Sequence, residues 1–390
     1  MIAAGDARGR ESATTLSVYG QLPFVPARAS GCDIITQDQR HILDLYGGHA
    51  VAALGYGHPR LVKAVCEQSK TLMFQSNAVA LDIRALAAEK LIAVAPANLR
   101  RVFFVNSGAE ANENALRMAC VATRRNKVLA ITQSFHGRTA AAAAVTWNAD
   151  KWYGFPHKPF DVAFIPRDDC DAAQAMIAGD VAAVIVEPVQ GVAGAYDLSP
   201  EFLHTLRQQC SRHGALLIAD EVQSGMGRCG HFFAMQAHAI EPDILTSAKA
   251  LGGGIPCGAV LCGEELAARF GPGDLGTTFG GGPVAAAAIV AVIDAIENDG
   301  LLANVRAREA QIREQCVVGP VQKIRGMGLL LGLVCDRPAL EVRDALLEHD
   351  ILTGTSADPN VLRILAPLVL QARHVDHLTQ ALGSVAPAAY

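Results

Sequence analysis

Between residues 101 and 262 the chain alternates short apolar runs with longer amphipathic stretches, and this alternation restricts the possible folds more than any other feature. The runs Arg101–Val105, Lys127–Thr132, Val162–Pro166, Val181–Glu187, Ala215–Asp220, Ile244–Ser247 and Ala259–Cys262 read as strands. Leu81–Ala95, Asn112–Arg125 and Pro200–His213 read as helices. Val181–Glu187 is almost pure Val, Ala and Ile, the composition of a strand covered on both faces. Strands interleaved with helices predict an α/β fold with a mainly parallel sheet between two helical layers. Ligands of such sheets bind beyond the carboxyl ends of the strands, so those ends are where chemistry is expected.

The chain has 390 residues, too many for one ordinary compact domain. After about Asn298 the texture changes to charged helices (Leu301–Gln315, Leu340–His349) and short strands (Gly328–Val334, Val361–Leu365). The first 75 residues read as irregular, punctuated by Pro23, Pro26, Gly47, Gly48 and the run Gly55 to Pro59. The expected division is an N-terminal segment (1–60) contributing to a small domain, a large domain (61–298) and a small C-terminal α+β domain (299–390). The two chain ends are expected to share a layer.

Apolar residues make up 51% of the chain and charged residues 18%, against about 25% charged in a typical soluble protein. A large core and an apolar subunit contact are both expected. The net charge is −5 with no Lys/Arg block, so no nucleic-acid partner is expected. Met1–Thr15 has four charged residues and no apolar core, unlike a signal peptide. The apolar run Val284–Ile293 stops at Asp294, short of the roughly 20 residues of a membrane span. The ten cysteines form no C-x-x-C pair, so no metal site is expected and they read as small buried residues in a reducing cytoplasm.

Four strand ends carry unusual residues. Ser107 and Glu110 form an S-x-x-E capping box. Beyond capping a helix, Gly108 and Ala109 there would offer backbone N–H groups to a phosphate. Glu187 closes the most apolar strand, either as a structural cap or as a site carboxylate. Asp220 and Glu221 end another buried strand, where a carboxylate needs a cationic heterocycle or a structural arginine as partner. Gln223 adds an amide that can face a ring hydroxyl. Lys249 follows Thr246-Ser-Ala and precedes Gly252-Gly-Gly254. It is either an ordinary surface lysine or, with small neighbours admitting a ligand, a nucleophile. A phosphate cup, a carboxylate for a pyridinium nitrogen and an amine for an aldehyde are together what pyridoxal phosphate (PLP) requires.

The chain resembles the class III, fold-type I aminotransferases, and within them the acetylornithine aminotransferases, from about Tyr19 to its end. The resemblance rests on NSGAEANE (106–113), FHGRT (135–139), EPVQG (187–191), LLIADEVQSGMGR (216–228), TSAKALGGGIPCGAV (246–260), GTTFGGGP (276–283) and LRILAPL (362–368). DLYGGHAV (44–51) also looks like this group, including members that use other N-acylated ornithines. The resemblance implies a large PLP-binding domain and a small α+β domain built from both chain ends. It implies that Ser107, Gly108 and Ala109 hold the phosphate, with Phe135 and His136 on one ring face and Glu187 and Val189 on the other. Asp220 would pair with the ring nitrogen, Gln223 approach the 3-hydroxyl and Lys249 be the Schiff-base and proton-transferring residue. Thr277 and Thr278 would reach across a homodimer interface that holds the active site, Thr277 to substrate and Thr278 to phosphate. Arg138 would bind the carboxylate of the acylornithine and Arg363 the α-carboxylate of 2-oxoglutarate or glutamate; taken singly, each also reads as a surface salt bridge. The implied reaction moves the terminal amine of N-acetylornithine to 2-oxoglutarate, giving the semialdehyde and glutamate. Succinylornithine, ornithine, 4-aminobutyrate and other diamine-derived donors are alternatives.

One position departs from the pattern. Many ω-amine members carry a second glutamate in E-P-x-Q-G-E, which pairs with the C-terminal arginine while the donor is bound; here the residue is Val192. Another group or water must then serve Arg363, and poor discrimination between ω-amine donors and glutamate is expected.

Overall fold

The structure, a computed structural model, describes residues 7–385, so the two outermost ends of the terminal segments, and part of the Met1–Thr15 reading, lie outside the described residues. Its centre is a seven-stranded sheet of β1 (Arg101–Val105), β2 (Lys127–Ile131), β3 (Asp161–Ile165), β4 (Val181–Val186), β5 (Leu216–Asp220), β6 (Ile244–Ser247) and β7 (Gly258–Cys262). The spatial order is β1-β7-β6-β5-β4-β2-β3. Only β7 runs against the others, paired antiparallel with both β1 and β6. All seven strands coincide with the apolar runs, because each is long enough and apolar enough to be covered on both faces.

The two coverings are visible residue by residue. Leu217 and Ala219 of β5 join the core on one face and Ile218 the core on the other. Val184 and Val186 of β4 likewise face away from Ala183 and Ile185. One layer includes the helix Gly108–Thr123, which contributes Ala111, Ala115, Leu116 and Ala119. Opposite, the helix Pro283–Asn298 packs on Pro59–Thr71 and Asp82–Val94. Pro283–Asn298 is the segment read as an apolar run; it is a buried core helix, with Asp294 paired to Lys90. Among the described residues no helix is long and apolar enough to cross a membrane.

Two smaller sheets flank this body. Pro26–Ser30, Asp33–Thr36 and His41–Asp44 form antiparallel strands, and Ile351–Leu352 adds to His41–Asp44 in parallel. Val321–Met327, Leu330–Cys335 and Val361–Ile364 form the other. The irregular reading of the first 75 residues is therefore corrected: three strands and the helix Pro59–Thr71 lie there. The strands are four or five residues long and Pro26–Ser30 is largely exposed, so no apolar alternation marks them. The strand Val321–Met327 was also missed; its exposed Gln322 and Lys323 break the pattern. Arg228 is fully buried and donates to Leu329 O and Ala366 O, tying the loop after β5 to the second flanking sheet. The ten cysteines are all unpaired; Cys66, contrary to the reading of buried thiols, is exposed.

Candidate active site

The carboxyl ends of β1, β4, β5 and β6 open onto a cavity of about 550 Å³. Its wall contains Ser107, Gly108, Ala109, Phe135, His136, Arg138, Glu187, Asp220, Gln223 and Lys249, so ten of the fourteen residues to which the resemblance assigns a role meet in one place.

Ser107 is the N-cap of the Gly108–Thr123 helix and accepts from Glu110 N at 3.1 Å. The Glu110 carboxylate reaches back one residue further than a simple capping box, to Asn106 N at 2.9 Å. Ser107, Gly108 and Ala109 thus bring the N-terminus of the helix, the positive end of its dipole, to the cavity wall. The glycine at 108 is required by packing: a Cβ there would stand 2.6 Å from Val222 Cγ1.

Asp220 is buried at the end of β5 and held from three sides. His136 Nδ1 and Asn112 Nδ2 each lie 2.7 Å from its Oδ2, and Val222 N donates to Oδ1 at 3.1 Å. Asn112 is itself fixed, donating to His136 O at 2.8 Å and accepting from Thr246 Oγ1 at 2.7 Å. Sequence reasoning missed Asn112 and Thr246, although Asn112 lies inside the NSGAEANE motif. A polar residue on the apolar face of a core helix was the available signal.

Glu187 accepts from Phe135 N at 2.8 Å, and Gly191 N lies 3.4 Å from its other oxygen. Burial pushes its carboxyl up to about 7, with Asp220 adding to the rise and His136 opposing it. Lys249 follows β6 in a left-handed conformation (φ 47°), uncommon for a side chain other than glycine. Burial lowers its amine below the ordinary lysine range, Asp220 and Glu187 oppose this, and Arg363 adds to it. A lysine so placed loses its proton more readily than one in water. Two buried polar atoms of wall residues, His136 Nε2 and Gln223 Oε1, have no hydrogen-bond partner among the described residues. Buried polar atoms are ordinarily paired, so both are available to a ligand. A Cβ at Gly191 would collide with Gln223 Oε1, which explains the glycine there.

Arg138 lines the cavity and lies over the Trp152 ring, 4.6 Å from its centroid. Arg363 is buried behind the wall rather than in it. Its Nε donates to Thr355 O at 2.7 Å, Nη1 to Gly191 O at 3.3 Å and Nη2 to the Tyr46 hydroxyl at 2.8 Å. All three acceptors are neutral oxygens, and Val192, which stands where the family pattern has a glutamate, lines the cavity. Tyr46 was not singled out from the sequence. Val189 is buried in the short pairing with Tyr196–Asp197 and does not reach the cavity. Thr277 and Thr278 also stand outside the cavity of their own chain. Thr277 Oγ1 accepts from Asn106 Nδ2 and Gly280 N, and Thr278 is exposed. Tyr19 and Val51, both unforeseen, also line the wall.

A parallel-sheet edge that gathers a buried lysine, two buried carboxylates and a helix N-terminus defines an enzyme of lysine-dependent carbonyl chemistry. The comparisons with known proteins name the family. Residues 16–385 match the model described as aminotransferase class-III, and the chain belongs to that family of PLP-dependent aminotransferases. It is 40% identical over 380 residues to an acetylornithine aminotransferase of Corynebacterium efficiens, covering 95% of this chain and 94% of the relative. It is 35% identical to one from Methanocaldococcus jannaschii, covering 95% of each. Among solved structures, an ornithine aminotransferase of Toxoplasma gondii superposes with a TM-score of 0.90 at 27% identity, over 96% of this chain and 92% of the other. The acetylornithine aminotransferase of Elizabethkingia anophelis gives 0.86 at 28% identity, over 96% of each.

Proposed function

We propose that this enzyme transfers the terminal amino group of an N-acylated ornithine, N-acetylornithine, to 2-oxoglutarate, working as a cytoplasmic homodimer. The observation that carries the donor is the match to acetylornithine aminotransferases along 95% of the chain, at up to 40% identity. Bound PLP supplies an aldehyde for amine exchange and a ring that draws electron density when its nitrogen is protonated.

The residues present fit that group. The N–H groups at Ser107, Gly108 and Ala109 suit its phosphate. Asp220, oriented by Asn112, His136 and Val222 N, offers its carboxylate to the ring nitrogen. Gln223 Oε1, without a partner, suits the 3-hydroxyl. Phe135 and His136 would cover one face, with Glu187, backed by Val189, on the other. Lys249 would hold the aldehyde through Nζ and would move the proton at the donor's terminal carbon; its depressed basicity suits both tasks. Arg138, steadied on Trp152, would orient the donor by its carboxylate, and Arg363 would take the α-carboxylate of 2-oxoglutarate.

Exposed Thr278 sits beside exposed Phe279, which meets Phe74 at 5.4 Å between centroids next to exposed Met73. An apolar patch flanking two threonines with no role in their own cavity supports a second subunit there, with Thr277 and Thr278 completing the partner's substrate and phosphate sites. In this reading residues 61–298 are the PLP-binding domain, and 1–60 with 299–390 form the small one.

A donor panel with 2-oxoglutarate as acceptor tests the proposal. N-acetylornithine should give the highest kcat/KM, at least about tenfold above unacylated ornithine or 4-aminobutyrate, the worth of one good pocket contact. A higher value for either of those, or for succinylornithine, would replace the donor. If no donor bleaches the yellow holoenzyme, the transaminase reading itself falls.

A further inference from the structure

Arg363 is a buried cation whose three hydrogen-bond acceptors are all neutral, and among the described residues it forms no ion pair. A buried guanidinium without an anion is unfavourable, and burial already draws its pKa down. Two of the acceptors, Thr355 O and Gly191 O, are backbone and fixed. The third, the Tyr46 hydroxyl, is on a side chain that can turn.

Tyr46 is itself held with care. Its hydroxyl lies 2.9 Å from His49 Nδ1, and the two rings meet edge to face at 4.8 Å. The backbone that returns His49 to Tyr46 is a left-handed turn: Gly47, Gly48, His49 and Ala50 have φ of 55°, 55°, 62° and 68°. The left-handed region costs about 1–2 kcal/mol for each residue bearing a Cβ, so His49 and Ala50 persist there only because their surroundings hold them. Asp44 pins the start of this turn, accepting from Tyr46 N at 2.7 Å and Gly47 N at 2.9 Å. The floor beneath the Tyr46 ring is Gly354, where any Cβ would collide with it. Gly354 pairs with the backbone of Arg363 itself.

We propose that Tyr46, positioned by His49, is a displaceable neutral latch on Arg363 that sets how readily the enzyme accepts a carboxylate there. With an ω-amine donor in the cavity the hydroxyl satisfies the guanidinium. When an oxo acid enters, its carboxylate displaces the hydroxyl, and Tyr46 leaves the position in which His49 holds it against the guanidinium. The exchange replaces a neutral acceptor by an anionic one, so the latch opens in favour of the acid. Tyr46 and His49 are positioning residues in this scheme, and it rests on the reading of Arg363 as the oxo-acid site.

The test uses holoenzyme and glutarate, a dicarboxylate that cannot react. In Tyr46→Phe the guanidinium has lost its movable acceptor, so glutarate, titrated by calorimetry, should bind at least about fivefold tighter than to wild type. The KM for 2-oxoglutarate should fall alongside, while the KM for N-acetylornithine moves less than twofold. His49→Asn, whose side chain tolerates a left-handed backbone, should tighten glutarate in the same direction by a smaller factor. A merely structural role would weaken both ligands together. Unchanged or weaker glutarate binding in both variants overturns the latch. Absence of turnover with every donor would instead remove the proposed reaction, and the glutarate titration would still decide whether Tyr46 competes for Arg363.

Discussion

Gly191 O already touches Arg363, so the side chain at the next position decides what charge the guanidinium meets. Val192 offers none. Substituting Val192→Glu should supply a counter-ion and make glutamate and 2-oxoglutarate compete with it. The glutamate half-reaction, followed by stopped flow, should slow by about tenfold or more in kcat/KM, equivalent to about 1.4 kcal/mol. The ω-amine half-reaction should change less, and an equal loss in both would dispose of the argument. At this scale the sequence was most informative where a residue's chemistry is conspicuous. Lys249, Asp220 and Glu187 were legible as charged residues ending apolar strands. Asn112, Thr246 and Tyr46 were not, because their parts depend on partners 108, 134 and 317 positions away.

Among the elements, the seven central strands were readable because burial on both faces leaves an uninterrupted apolar run. The helix expected to begin at Asn112 begins at Gly108, four residues earlier, since Ser107 caps it directly. The flanking strands were obscured by exposure and brevity. The loop after β5 carries a further consequence of burial. Glu221 accepts from Ala234 N at 2.9 Å and Met235 N at 2.8 Å, with Ser224 donating as well, and so staples Gln223–Phe233 back onto the strand. Burial raises its carboxyl from 4.5 to about 7, against the pull of those donors. A carboxyl raised by folding contributes stability in full below its ordinary pKa and loses it as pH climbs through the raised value. Glu221 should therefore make the protein less stable at pH 8 than at pH 5, and Glu187, shifted the same way, adds to the trend. In Glu221→Gln the drop in Tm between those pH values should shrink by a few degrees. An undiminished drop would assign the pH dependence elsewhere.

For the whole molecule, the apolar patch of Met73, Phe74 and Phe279 predicts how assembly and cofactor retention are linked. In the proposed dimer, Phe279→Asp should shift the species seen by sedimentation toward the monomer and weaken PLP retention together, because there Thr278 is proposed to complete the neighbouring site. A dimer of wild-type affinity that keeps its cofactor would place the interface on another face.

The pairing of His41–Asp44 with Ile351–Leu352 means that this protein is closed by its last quarter. During synthesis the lysine and its carboxylates emerge long before the strand that carries Arg363. Lys249, Asp220 and Glu187 are therefore free to come together on a ribosome-bound chain while Arg363 is still being translated. Until then the edge of His41–Asp44 stays open to other chains, the kind of exposed edge that chaperones are needed to shield.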